Sequence, residues 1–185
     1  YQPPDGLPLD IPAAQRLLAE AGYNTGADLG PVELLYPPRQ AGVCQALARM
    51  WEDSLGVQVE LRAQESKTFA EEKARQRFMI AWGNWYPDYN DPTTFLDCFA
   101  TGNGNNDSGY SNPKYDELLA AAAEETDSVR RMTILQNAER LVMEEDCPVL
   151  PVLHPTELIA VGPRVIGIHP NSRLWFPFRY VSVTR

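Results

Sequence analysis

The sequence predicts an α/β layered domain with a mixed β-sheet. Three observations carry this. Strand-like apolar runs alternate with amphipathic helical stretches through the first half. The order then changes to helices followed by strands. Helix starts and stops are marked by capping residues and glycines. The 185 residues are 44% apolar and 22% charged, a globular balance with enough chain for one sizeable core.

Asp10-Ile11-Pro12 begins the first helix, with Asp10 as the cap and Pro12 in the first turn. Ala14, Leu17, Leu18 and Ala21 recur at helical spacing and give one apolar stripe, and Gly22 stops the helix. Val32 to Tyr36 is a short apolar run that reads as a buried strand, closed by Pro37-Pro38. A second helix covers residues from about 40 to 55, with Val43, Leu47, Met50 and Trp51 on its buried side and Gly56 at its end. Val57, Val59 and Leu61 alternate with polar residues as a strand does. Strand, helix and strand in this order form a βαβ unit, so the strands should be parallel and the crossover right-handed.

Lys67 to Gln76 is a charged, peripheral third helix, and Phe78 to Trp82 is the next strand. Thr93 to Phe99 predicts a short helix. Ala100 to Ser111 holds three Gly and three Asn and reads as a long surface loop. Asn112-Pro113 caps the following helix, which buries Tyr115, Leu118, Leu119 and Ala122. Asp127 starts a longer helix to about Glu145, buried through Met132, Leu135, Ala138 and Val142. Val149 to Leu153 and Leu158 to Val161 predict two strands joined at His154-Pro155. The rest, Arg164 to Arg185, is extended and rich in aromatics.

Charge and composition exclude several roles. With 16 basic and 25 acidic residues the net charge is −9, which repels phosphate backbones, so no nucleic-acid partner is expected. No apolar run reaches the roughly 18 residues of a membrane span. His154 and His169 lack ligand spacing, so no metal and no cofactor is expected. No G-x-S-x-G and no Cys-His pairing stands out, and Gly102-Asn103-Gly104 lacks a strand-to-helix setting for phosphate. Cys44, Cys98 and Cys147 form no C-x-x-C pair. They read as buried thiols, with a Cys98 to Cys147 bridge as the alternative in an oxidising compartment. Asn106-Asp107-Ser108 fits a glycosylation sequon.

Chemistry concentrates in Trp82 to Pro92. Trp82, Trp85, Tyr86 and Tyr89 surround Asp88 and Asp91 at the end of a predicted strand, where open α/β sheets bind ligands. The aromatics offer rigid contact area, and a carboxylate among them could receive a cation. A packed aromatic turn, with Asp91-Pro92 as a helix cap, is the competing reading.

The run Trp85-Tyr86-Pro87-Asp88-Tyr89-Asn90-Asp91-Pro92-Thr93-Thr94-Phe95-Leu96 resembles the W-x-x-D-Y-x-x-P-x-x-F-L signature of oligopeptide- and dipeptide-binding proteins. These are the family-5 extracellular solute receptors of ABC importers. Ala13 to Tyr23 resembles the family's A-x-x-L-L-A-E-A-G-Y helix. Trp51 to Leu61 resembles W-x-x-x-L-G-V-x-V-x-L, and Lys67-Thr68-Phe69 its K-T-F. Tyr110 to Leu119 is similar to Y-x-[SN]-P-x-[FY]-D-x-L-[IL], and Cys147 to Val152 to A-x-[IV]-P-[IV].

The resemblance implies a periplasmic-binding-protein type II-like lobe, α/β, with a mixed β-sheet flanked by helices. Residues 1–9 would be a linker from a first lobe, 10–162 the ligand-closing lobe, and 163–185 a tail returning to the first lobe. It implies capture of a short peptide or peptide-like solute, with Asp88 receiving the α-ammonium group. Asn84, Trp85 and Tyr86 would pair with the ligand main chain beside Trp82, and Lys73 falls near a basic position used against a peptide carboxylate. Implied partners are an ABC permease and the N-terminal lobe of the same receptor. The setting would be periplasmic or extracellular, membrane-anchored in the full-length protein. Ser66, where an aromatic is frequent, and Trp82, where a smaller or charged residue is frequent, leave ligand length open. Nickel chelates, opines, glutathione and oligosaccharides are the alternative solutes within the family. A sensor or interaction domain and an α/β hydrolase are the readings from other classes. Exposed apolar surface is expected around Leu174, Trp175, Phe176, Phe178 and Tyr180, favouring self-association.

Overall fold

The computed structural model describes residues 1–156, 158–169 and 176–184. Helix α1 (Ile11–Glu20) opens as its cap predicts, the Asp10 carboxylate accepting from the Ala13 N–H at 2.8 Å. It ends at Gly22, whose φ of +94° lets the Gly22 and Tyr23 N–H groups reach the Ala19 and Leu18 carbonyls and close the last turn. The expected apolar stripe is present, but it is not buried. No residue of α1 is fully enclosed, and Leu17 is 64% exposed. Periodicity makes a helix amphipathic; only a neighbouring surface buries the stripe.

The βαβ unit forms as predicted. Strand β1 (Val32–Tyr36) leads through helix α2 (Ala41–Leu55) to β2 (Val59–Ala63). The two strands are parallel, with Val32 opposite Val59 and Tyr36 opposite Ala63. The Val57 side chain is buried just before the strand begins. Gly56 ends α2 at φ +74°, a left-handed cap that glycine takes without strain. Strand β3 (Ile80–Ala81) pairs in parallel on the other side of β1, and the Trp82 N–H extends it by donating to the Leu35 carbonyl at 2.8 Å. The strand order is β2-β1-β3.

The central strand β1 is therefore the most enclosed. Leu34 and Tyr36 face α2 and pack with Cys44. Met50 was expected on that helix face, but it is 55% exposed while Cys44 is fully buried. A small thiol fits close to the sheet where a long thioether side chain does not. Leu35 points to the opposite face, which is also that of its neighbour Arg62. There Arg62 meets Glu33 at 3.2 Å and Glu72 at 3.4 Å and donates to the Arg77 carbonyl at 2.9 Å. Glu72 belongs to α3 (Ser66–Ala74), so α2 and α3 flank opposite faces.

The second half is helical. Helix α4 (Thr93–Leu96) runs into one 3₁₀ turn at Asp97–Phe99. Helix α5 (Pro113–Glu124) is capped by Asn112, and α6 (Ser128–Arg140) by Asp127; α6 continues into a π turn at Leu141–Glu145. Leu96, Tyr115, Ala122, Leu135, Ala138, Leu141 and Val142 form its core. Inside it the Tyr115 hydroxyl donates to the Leu96 carbonyl at 2.7 Å. The long loop before α5 is knitted by Asn106, whose Nδ2 donates to the carbonyls of Ala100 at 3.1 Å and Tyr110 at 2.8 Å. An amide committed inward in this way cannot carry a glycan, which removes the sequon reading.

Neither strand expected over Val149–Leu153 and Leu158–Val161 forms. Leu150, Val152, Ile159 and Val161 stay substantially exposed and Leu158 is 98% exposed. An apolar run becomes a strand only beside an edge that offers ladder hydrogen bonds. The antiparallel pair falls further on, between β4 (Val165–Ile166) and β5 (Ser182–Val183). Parallel and antiparallel pairing both occur, in two separate sheets rather than in one. Cys44, Cys98 and Cys147 are all free, so the alternative Cys98 to Cys147 bridge is absent. Of the expected apolar patch, Leu174 and Trp175 lie outside the described residues; Phe178 and Tyr180 are 80% and 67% exposed, and Phe176 is half-buried.

Candidate ligand-binding site

At the carboxyl end of β3, which is an edge strand, the chain leaves the sheet after Trp82. Trp82 still packs against the Leu34, Tyr36 and Cys44 cluster. It is a wall of the sheet's α2 side, and its enclosed indole N–H has no acceptor among the described residues. From Gly83 the backbone is irregular and open. Asn84 is exposed, and Trp85 and Tyr86 are 41% and 50% exposed. Such a stretch presents backbone groups and two aromatic faces to whatever covers it.

Two aspartates follow, and their surroundings differ. Asp91 meets the Arg131 guanidinium in a two-pronged pair, Oδ2 at 2.6 Å from Nη1 and Oδ1 at 2.9 Å from Nη2. Its Oδ1 also accepts from the Thr93 N–H at 3.1 Å and hydroxyl at 2.8 Å. These hydrogen bonds, from Arg131 above all, hold its carboxyl well below the usual range, at about 2, against the opposing effect of burial. Among the described residues Asp88 is anchored through its backbone, whose N–H donates to the buried Thr94 Oγ1 at 2.9 Å. Its side chain is exposed, and among the described residues no cation pairs with it.

Tyr89 closes the turn. Its hydroxyl stands 3.3 Å from Thr93 Oγ1 and 3.5 Å from Asp97 Oδ2. Burial pushes the Asp97 carboxyl up, the Tyr89 hydrogen bond opposing it and the Asp91 charge adding to it. Burial likewise raises the Cys98 thiol, with the charges of Asp97, Asp88 and Asp107 reinforcing it.

The structure thus gathers Trp82, Asn84, Trp85, Tyr86 and Asp88 on one segment at the sheet edge. Lys73 is placed differently. Its Nζ lies 2.8 Å from Asp107 and 5.5 Å from the centre of the Phe69 ring, and none of these contacts is with Trp82 to Asp91. Two residues were not found from the sequence, Thr94 and Arg131. Thr94 stood in the run only as a spacer. Arg131 is separated from Asp91 by forty positions, and no local pattern links them.

The segment is an open edge. Two concavities among the described residues lie elsewhere. One, of about 490 Å³, is lined by Gln2, Asp5, Arg140 and Glu144 among others. The other, of about 400 Å³, is lined by Gln45, Arg49, Gln58 and Leu61 among others. Among the described residues no group of three His, Cys, Asp or Glu could hold a metal, and no helix is long and apolar enough to cross a membrane. The edge can therefore offer a carboxylate, aromatic faces and backbone hydrogen bonds to an incoming solute.

A family model described as "Bacterial extracellular solute-binding proteins, family 5 Middle" matches residues 1–107. The chain is similar to the oligopeptide-binding protein OppA of Bacillus subtilis, 36% identical over 76% of this chain and 26% of that protein. It is also similar to the "Probable deoxycholate-binding periplasmic protein YgiS" of Escherichia coli, 30% identical over 85% of this chain and 29% of that protein. Among solved structures it superposes on a periplasmic oligopeptide-binding protein from Borrelia burgdorferi. There the TM-score is 0.83 and the identity 28%, over all of this chain and 38% of the other. The chain spans about a quarter to a third of the curated relatives it matches.

Proposed function

This chain belongs to family 5 of the bacterial extracellular solute-binding proteins, and from that premise we propose that it is one ligand-facing lobe of a peptide receptor. In this reading it works outside the cytoplasm, anchored at the membrane, and delivers its cargo to an ABC permease. A second lobe closes over Trp82 to Asp88 and completes the cleft. The protein breaks no bond; its work is hinge closure around a solute.

One observation carries the peptide reading. Of the two carboxylates in the aromatic segment, Asp91 is neutralised by Arg131 whereas Asp88 has no cation partner among the described residues. An ammonium group meeting Asp88 under a closing lobe gains a charge-assisted hydrogen bond of about 1.5–3 kcal/mol. The exposed backbone of Asn84 to Tyr86 adds main-chain pairing as a strand would, which reads backbone and tolerates varied side chains. Lys73 is paired with Asp107, so a ligand carboxylate reaching it has to compete with that partner.

Calorimetric titration of the full receptor with tri- to pentapeptides tests this. Asp88→Asn is expected to weaken binding by roughly 30-fold or more, from about 2–5 kcal/mol lost when a buried cation is left unpaired. Unchanged affinity would refute the assignment of Asp88. The relative named for deoxycholate motivates a second reading, a receptor for an amphipathic anion resting on Trp85 and Tyr86. Titration with deoxycholate separates the two. Saturable binding of the bile anion with no response to peptides favours the second.

A further inference from the structure

We infer that Arg131 is a positioning residue for ligand capture, acting through Asp91 and Thr94 to fix the direction in which Asp88 points. This rests on the reading of Asp88 as the carboxylate that meets the ligand's ammonium group.

Arg131 lies in the first half of α6, whose Leu135 and Ala138 are fully buried in the helical core. It is thus fixed to the most enclosed part of the molecule. Its fork holds both oxygens of Asp91, and each side chain of the pair is only 25% exposed. A two-pronged pair sets orientation as well as distance. Asp91 in turn takes the N–H and hydroxyl of Thr93, and its carbonyl accepts from the Thr94 N–H at 3.1 Å. Thr94, 5% exposed, accepts the Asp88 N–H at 2.9 Å. A continuous chain of hydrogen bonds therefore runs from the core helix to the backbone of Asp88, the carboxylate of the segment that has no cation partner among the described residues. A site on a loop holds its geometry only when its supporting groups are themselves held. Without the chain, Asp88 would sample many directions and lose affinity to ordering when ligand arrives.

The test compares a free-amine tripeptide with its N-acetylated form on the full receptor, because acetylation removes the charge that Asp88 would meet. The readout is the ratio of the two affinities. A general structural fault lowers both together and leaves the ratio unchanged. Arg131→Gln is expected to reduce the ratio by about tenfold, near 1.4 kcal/mol, and to add nothing further in the Asp88→Asn background. Arg131→Lys, which keeps the charge but loses the fork, should fall between. Thr94→Val, which leaves the ion pair intact, should reduce the ratio as Arg131→Gln does, and it decides the matter if Arg131→Gln does not fold. If Asp88→Asn abolishes the preference while Arg131→Gln and Thr94→Val retain it, the positioning role is wrong and the peptide reading stands. If Asp88→Asn itself retains the preference, both fall.

Discussion

Asp91 and Asp88 lie on the same aromatic segment, and among the described residues only Asp91 is paired with a cation, Arg131. Arg131 holds the Asp91 carboxyl at about 2, below its ordinary 3.8. A depressed acid stabilises the fold above its unfolded pKa, and that contribution disappears as pH falls through the folded value. Urea unfolding should show Asp91→Asn less stable than wild type at pH 6 by about 1–2 kcal/mol, allowing for screening of a partly exposed pair. The gap should narrow below pH 3.8 and close near pH 2. A gap independent of pH would mean that charge pairing is not what Asp91 contributes. The thiols offer a second residue-scale check. Burial pushes the Cys44 and Cys98 thiols up, which disfavours the reactive thiolate, whereas Cys147 is half-buried. A thiol reagent should modify Cys147 first and the other two only on unfolding, and all three without prior reduction. Fewer than three under denaturing conditions would reveal a bridge.

At the level of elements, α6 carries both core residues and Arg131, the partner of Asp91, so its cap matters to each. Asp127 Oδ1 accepts from the Val129 and Arg130 N–H groups at 3.0 and 2.9 Å, immediately before Arg131. Asp127→Ala is expected to cost about 1 kcal/mol in urea unfolding, less than additively with Asp91→Asn, because both loosen the same first turn. Strict additivity would show that cap and ion pair act independently. This helix was legible in the sequence because its signals are local: Asp127 at the start and apolar residues at helical spacing. The same holds for Asp10 and Gly22 around α1 and for the βαβ unit. Val149–Leu153 misled because strand formation needs a partner edge, which apolar content cannot specify. The candidate site was legible only as a segment. The crowding of aromatics marked Trp82 to Pro92, yet the different pairing of its two aspartates was not visible. It depends on an arginine forty positions away. The pairing of Lys73 was not visible for the same reason, since its partner Asp107 lies on a loop that the sequence shows only as polar.

For the whole molecule, two opposing surface properties set solution behaviour. Leu9, Leu17, Leu158 and Phe178 are 88%, 64%, 98% and 80% exposed, large apolar side chains that favour association where they adjoin one another. Leu17 of α1 and Leu150, Val152, Leu153, Leu158 and Ile159 are left substantially exposed, which fits surfaces that a second copy would bury. Against this, the net charge of −9 makes copies of the chain repel one another. Apolar attraction acts only at contact, whereas charge repulsion reaches about 10 Å at 0.1 M salt and about 30 Å at 0.01 M. Salt should therefore favour association rather than oppose it. For the 185-residue chain on its own, light scattering is expected to show a mass that rises with protein concentration and further with added sodium chloride. Leu158→Lys together with Phe178→Lys should weaken the association even though these changes reduce the net negative charge and hence the repulsion. A mass of one chain at every concentration and salt level would show that the exposed apolar residues are too scattered to act as an interface.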